Sequence, residues 1–155
     1  MPLSKIQDVG NQVVPNLGRG NLIVNGAMQV AQRATSATGI GTANGVYPTV
    51  DRMIIEVGNT DGRLTMTQES ITDLPGFAKA VKLACTTADT SIAANEFLML
   101  GTRLEGQNLQ HLKKGTSSAE KVTVSFYVKG NANATYTCEL RDQDNTRFNN
   151  IEFSV

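Results

Sequence analysis

The sequence has no tryptophan, a single histidine, two cysteines and no net charge. Each scarcity excludes something. With few aromatics, the core must be built from Leu, Ile, Val, Met and Ala. Without an excess of Lys and Arg there is no basic stripe to displace counterions from phosphates, so no nucleic acid partner is expected. One histidine and no Cys-x-x-Cys argue against a zinc site. His111 lies among Gln110, Leu112 and Lys113 on an expected exposed turn. A nucleophile and an orienting acid would have to converge there for Ser-His-Asp or Cys-His chemistry. Glycoside cleavage needs paired carboxylates across a cleft, and no pair stands out. The sequence therefore reads as a non-enzyme with no cofactor. It has no run of about eighteen apolar residues, so no membrane insertion is expected. Met1-Pro2-Leu3-Ser4-Lys5-Ile6 lacks the apolar core of a signal peptide, which implies synthesis in the cytoplasm. Cys85 and Cys138 fall in different strand-like segments on the apolar parity, and read as buried free thiols rather than a bridge.

What is present is glycine (14 residues), with Asn and Thr throughout. That composition favours short strands joined by many turns. Residues 1–20 are interrupted by Gly10, Pro15, Gly18 and Gly20 and read as an extended arm. Leu3, Ile6, Val9, Val13, Val14 and Leu17 are its candidate docking residues, ordered against a partner. Leu22-Ile23-Val24 reads as a strand ended by Asn25-Gly26, with a second strand over 27–32, and 34–45 reads as a long loop or flap. Met53 to Val57 and Arg63 to Gln68 read as a hairpin turned by Asp61-Gly62. Leu64 and Met66 then point inward. Phe77, Val81, Leu83 and Cys85 share a parity, and 96–104 is a further apolar segment. Leu109 and Leu112, followed by Lys113, Lys114 and Gly115, predict a turn or two of helix with a left-handed stop. The strongest alternation is Lys121 to Lys129, with Val122, Val124, Phe126 and Val128 on one face. A return strand carries Tyr136, Cys138 and Leu140 inward. Ile151, Phe153 and Val155 open another, which suggests a fragment whose sheet is incomplete at the C-terminus. About eight or nine strands with almost no helix predict an all-β fold, an antiparallel β-sandwich of the jelly-roll kind over 21–155.

Candidate sites are few. Asp142-Gln143-Asp144-Asn145 places acidic oxygens alternately, so Asp142 and Asp144 are the weak metal candidates. The run lacks the glycine and bidentate glutamate of an EF-hand loop, and a polar turn is the simpler reading. Gly39-Ile40-Gly41 has no lysine and no following helix, so it is not a phosphate cradle. Asn133-Ala134-Thr135 fits a glycosylation sequon, relevant only to a secreted eukaryotic protein. Asp51 and Arg52 either contact a sugar or a subunit, or hold the strand that follows by an ion pair or capping hydrogen bonds. Tyr47 and Tyr127 are the remaining candidate contacts for a ligand.

The order of several segments resembles a known family. Asn21-Leu22-Ile23-Val24-Asn25-Gly26-Ala27-Met28-Gln29-Val30-Ala31-Gln32-Arg33, then Tyr47 and Asp51-Arg52, is similar to the opening of many bacteriophage fibre and appendage proteins. The likeness extends to Arg103 to Leu109 and to Ser125 to Lys129. Where that family often carries an aromatic after Asp-Arg and a later Trp, this chain has Met53 and Tyr127. The resemblance implies a galactose-binding-like jelly roll, of the kind found in tail fibres of marine and cyanobacterial phages. It also implies an N-terminus anchored to the virion and assembly as a homotrimer. The expectation is thus a structural virion protein that docks on other tail or capsid proteins through its arm and self-associates. The alternative is a lectin-like, receptor-binding module that contacts host-surface glycans through Tyr47, Asp51, Arg52 and Tyr127.

Overall fold

The computed structural model describes residues 21–131 and 133–155. The expected docking arm, with Leu3, Ile6, Val9, Val13, Val14 and Leu17, lies outside the described residues. The chain is all-β. Its strands are β1 (Ser36–Ile40), β2 (Ile54–Gly58), β3 (Arg63–Ser70), β4 (Lys79–Thr87), β5 (Phe97–Gly101), β6 (Thr135–Asp142) and β7 (Arg147–Ser154), with a short 3-10 helix over Gly106–Leu112. They form three antiparallel sheets among the described residues, ordered β1-β3-β4, β2-β5 and β6-β7. The chain divides after Ala119 into two compact units.

In the first unit, alternation decides which side chains go inward. Met66 is fully buried and Leu64 packs against the core, while Thr65 and Thr67 take the other face. Across the β3–β4 ladder, Met66 stands opposite Leu83 and Gln68 opposite Val81. Directly opposed residues share a face, so Leu83 and Val81 join the same layer. β2 closes the cluster with Ile55 and Val57, and Val50, Met53 and Ile40 complete it. Ile54 has the opposite parity and is also buried. Replacing a fully buried Ile or Met by Ala typically costs about 2–5 kcal/mol, so this small cluster is the main store of stability in the unit.

Several expectations are corrected. The 34–45 segment is not one long loop, because Ser36–Ile40 is strand β1, paired with β3. Its small residues allow that close pairing. Leu22-Ile23-Val24 and 27–32 form no strands. Asn25 instead opens a turn closed by the Met28 N–H on the Asn25 carbonyl at 2.9 Å. The segment from Gly58 to Gly62 is not a hairpin. β2 pairs with β5 and β3 with β1 and β4, so the chain crosses from one sheet to the other. The left-handed residue there is Asn59 (φ 55°), not Asp61 or Gly62. The Asp89 carboxylate fixes the crossing, accepting from Asp61 N at 2.8 Å, Thr60 Oγ1 at 3.0 Å and Ser91 N at 3.0 Å. The short helix is of the 3-10 type, and its left-handed stop is Lys113 (φ 50°). Cys85, expected to be buried, is exposed. It lies near the outer end of β4, beside the irregular register at Arg63/Leu64.

The second unit, Glu120–Val155, is built on a ribbon. β6 and β7 pair in unbroken register from Thr135↔Ser154 to Asp142↔Arg147. Asp142 steadies the connecting loop, its carboxylate accepting from Asn145 Nδ2 at 2.7 Å and from Asn145 N at 3.3 Å. Lys121 to Lys129, the most regular alternation in the sequence, forms no strand. Alternation specifies a two-faced surface but not a backbone partner, and no described residue supplies the ladder. Phe126 does meet the ribbon, edge-on to Phe153 with ring centroids 5.3 Å apart.

Two outcomes test this description. Gly41 has φ +138°, and a Cβ there would stand 2.3 Å from the Gly62 carbonyl oxygen, a backbone atom. Gly41→Ala is expected to lower stability by about 2–3 kcal/mol, as backbone strain and clash combine. Gly39→Ala, with φ +68° but open space, is expected to cost about 1–2 kcal/mol; urea denaturation of both variants measures the difference. Asp89 supplies the second outcome. The Ser91 amide, then the Asp61 amide, hold its carboxyl below the ordinary value of 3.8. A depressed carboxyl contributes stability that is fully present above its unfolded value and is lost as pH falls through the folded one. Amide exchange at Asp61 and Ser91 is therefore expected to accelerate below about pH 4, and Asp89→Asn to remove that acid dependence.

Candidate functional site

Asn25 gathers the elements of the site. Its left-handed backbone (φ 60°) suits asparagine better than most residues. Its side chain makes three bonds. Nδ2 donates to the Val30 carbonyl at 2.9 Å and to the Asp51 carbonyl at 3.0 Å, and Oδ1 accepts from Val30 N at 3.0 Å. Asp51 N donates in turn to the Val30 carbonyl at 3.0 Å. One amide thus clasps residues 25–30 to the turn that precedes β2. That turn runs from Val50 to Met53, closed by Met53 N on the Val50 carbonyl at 3.2 Å. Its third residue, Arg52, has φ 69°, the sign a type II turn requires at that position.

Asp51 and Arg52 of that turn also line a cleft of about 380 Å³, together with Gln32, Arg33, Tyr47 and Thr49. Asp51 Oδ1 accepts from Gln32 N at 2.9 Å. Arg33 Nη1 donates to the Tyr47 carbonyl at 3.1 Å, and its guanidinium lies over the Tyr47 ring, 5.6 Å from the centroid. This is cation–π geometry. Thr49 is 1% exposed, and its hydroxyl has no hydrogen-bond partner among the described residues. Nearby, Arg103 pairs with Glu56. That carboxylate, and more weakly Tyr47, hold the Arg103 guanidinium above its ordinary range.

Three of the four sequence-predicted contact residues therefore come together: Tyr47, Asp51 and Arg52 share the cleft. Tyr127 lies in the 120–155 unit and is 74% exposed. The capping role considered for Asp51 is present, since its carboxylate holds the Gln32 amide. Sequence reasoning had not singled out Gln32, Arg33 or Thr49 as contacts. Gln32 and Arg33 stand in the segment that carried the family resemblance, whereas nothing marks Thr49 in the sequence. Asp142 is engaged with Asn145, which together with the turn amides holds its carboxyl below the usual range. Among the described residues no three His, Cys, Asp or Glu side chains are grouped to hold a metal ion. Comparison with protein families, curated proteins and solved structures finds no match.

The clasp is directly testable. Asn25→Ala leaves the Asp51 carbonyl and the Val30 amide short of a partner, while the Val30 carbonyl keeps the Asp51 amide. Each unsatisfied buried group costs about 1–3 kcal/mol, and the site is partly exposed. The expected loss is about 2 kcal/mol, measured by thermal or urea unfolding, with collapse of the dispersion of the Gln32 and Asp51 amide resonances.

Proposed function

We propose that this chain is a structural subunit of a bacteriophage tail fibre or virion appendage, docking on the particle through residues 1–20 and associating with copies of itself. The observation that supports the reading is the apolar face of the β6–β7 ribbon. In its register Tyr136 stands opposite Phe153 and Cys138 opposite Ile151, with Leu140 one pair further on. These residues share one face with Asn149, and the other carries Thr135, Thr137, Glu139, Arg141, Asn150 and Glu152 together with Phe148. Tyr136 stacks on Phe153 with centroids 5.8 Å apart. Yet Tyr136, Leu140 and Ile151 are all exposed, as are Val122, Val124, Phe126 and Val128.

A two-stranded ribbon is marginal by itself in water. An exposed apolar face with free strand edges is a surface made for pairing. Zero net charge removes the self-repulsion that would oppose assembly. The phage assignment comes from the sequence resemblance, and the homotrimeric state and tail or capsid partners are what it implies. Localisation to the virion follows from the same reading.

Sedimentation of the full chain is expected to give an oligomer, and Ile151→Lys a smaller species with unchanged far-UV circular dichroism. Ile151 is 61% exposed, so the substitution should cost the subunit itself less than about 0.5 kcal/mol. A monomeric parent at about 100 µM, a concentration that reveals contacts worth some 5–6 kcal/mol, would count against self-assembly.

A further inference from the structure

The dipeptide Asn-Gly occurs twice in the chain, at Asn25-Gly26 and at Asn44-Gly45. This pair offers little steric resistance to a reaction of the chain with itself. The glycine nitrogen attacks the asparagine Cγ, and with no Cβ on the glycine nothing crowds the five-membered ring that forms. The fold treats the two copies differently. Asn25 is half-buried and held at three points. Its Nδ2 donates to the Val30 and Asp51 carbonyls at 2.9 and 3.0 Å, and its Oδ1 accepts from Val30 N at 3.0 Å. The side chain is thereby fixed on residues 30 and 51, and the nitrogen that would have to leave is bound to two acceptors. Asn44 is exposed and held at one point. Its Oδ1 accepts from Val57 N, on β2, at 3.1 Å. Among the described residues neither its Nδ2 nor the Gly45 amide makes a hydrogen bond.

Gly45 has φ +69°, with nothing within 4 Å of where a Cβ would stand, so the turn favours glycine there and leaves room for the ring. The Val57 amide has a second effect. Negative charge builds on Oδ1 as the nitrogen adds, and a backbone donor already placed on that oxygen stabilises it. The contact that satisfies an edge N–H of β2 thus also polarises the carbonyl that is attacked. We propose that Asn44-Gly45 is a site of self-modification in the folded chain, and that Asn25-Gly26 is held unreactive by its clasp. The step balances without a cofactor. Gly45 N gives its proton to a solvent base and bonds to Asn44 Cγ; the Cγ–Nδ2 bond breaks and ammonia leaves, giving a succinimide. Water then opens the ring at either carbonyl, to aspartate or isoaspartate. Aspartate keeps an acceptor for Val57 N. Isoaspartate routes the main chain through the former side chain, one methylene longer, and withdraws that acceptor. Val46, which follows Gly45, exchanges both backbone bonds with Ile55 at 2.8 and 3.1 Å, so the lengthened chain loosens β2 on the edge away from β5. None of this requires self-assembly or a particular partner.

The test is incubation of the full chain at mildly alkaline pH, native and in denaturing urea, followed by peptide mass spectrometry that separates Asn, Asp and isoaspartate at both sites. In the native chain Asn44 is expected to convert at a rate within about tenfold of the unfolded chain, and Asn25 to convert more than about tenfold more slowly than Asn44. In urea the two sites are expected to react alike. Amide exchange at Ile55 and Val57 is expected to accelerate severalfold in aged chain carrying isoaspartate at position 44. It should be unchanged in Asn44→Asp, which has the charge without the added methylene. Three results would each overturn the proposal: Asn44 intact in the native chain while the urea-treated chain converts, Asn25 converting as fast as Asn44 in the native chain, or the same disparity between the sites persisting in urea. Unaltered exchange at Ile55 and Val57 in the isoaspartate form would overturn the effect on β2.

Discussion

β2 is the most deeply buried strand of the 21–119 unit, and the unit is arranged around that constraint. Ile55 and Val57 face the main core, while Ile54, of opposite parity, is buried as well. β2 is not apolar throughout: on the second face Glu56 is half-buried and pairs with Arg103. Its backbone must also be satisfied on both edges. β5 pairs along one. On the other, Ile55 exchanges both backbone bonds with Val46, at 2.8 and 3.1 Å. That bridge draws 46–49 alongside β2, and the turn at 50–53 must then close tightly before the strand begins. Arg52 in a left-handed conformation is a consequence of this geometry. The cleft therefore lies beside the bridge and the turn that hold Tyr47, Thr49 and Asp51 in place.

The same logic separates what the sequence disclosed from what it did not. The alternation of Leu64, Met66, Val81 and Leu83 reported one face of one sheet, and these residues all pack on the core. β6 and β7 were legible for the same reason. Partner choice was not legible. Asp61-Gly62 between two apolar runs fits a hairpin locally, but Asp89, about thirty residues away, takes the Thr60 hydroxyl and Asp61 amide and holds a crossover instead. Ser36–Ile40 carried no strand signal because its side chains are small and mostly exposed; its pairing is dictated by the free edge of β3. Lys121 to Lys129 errs in the opposite direction, with a strong local pattern and no ladder partner among the described residues.

For the cleft, residue type was informative and spacing was not. Tyr47, Asp51 and Arg52 attracted notice as polar and aromatic residues opening a strand. Arg33 enters from a segment fourteen residues earlier in the chain and is brought in by its bond to the Tyr47 carbonyl. Thr49 matters for its burial, and burial of a lone threonine between proline and valine cannot be read from the sequence.

The left-handed residues of the chain separate two ways of holding a turn. Asn59 sits in a crossing fixed by a carboxylate that spends its hydrogen-bonding capacity on the chain itself, and its side chain adds a bond to the Asn95 carbonyl at 3.2 Å. Asn25 likewise spends its whole amide on Val30 and Asp51. In both, the polar groups that stabilise the strained backbone are consumed in doing so. Arg52 differs. Its backbone is strained, its neighbours' polar groups hold the turn, and its own charge is left unspent beside a buried hydroxyl that is also unspent. Glycine at that position would relieve the backbone, and among the described residues the Arg52 guanidinium makes no hydrogen bond or ion pair.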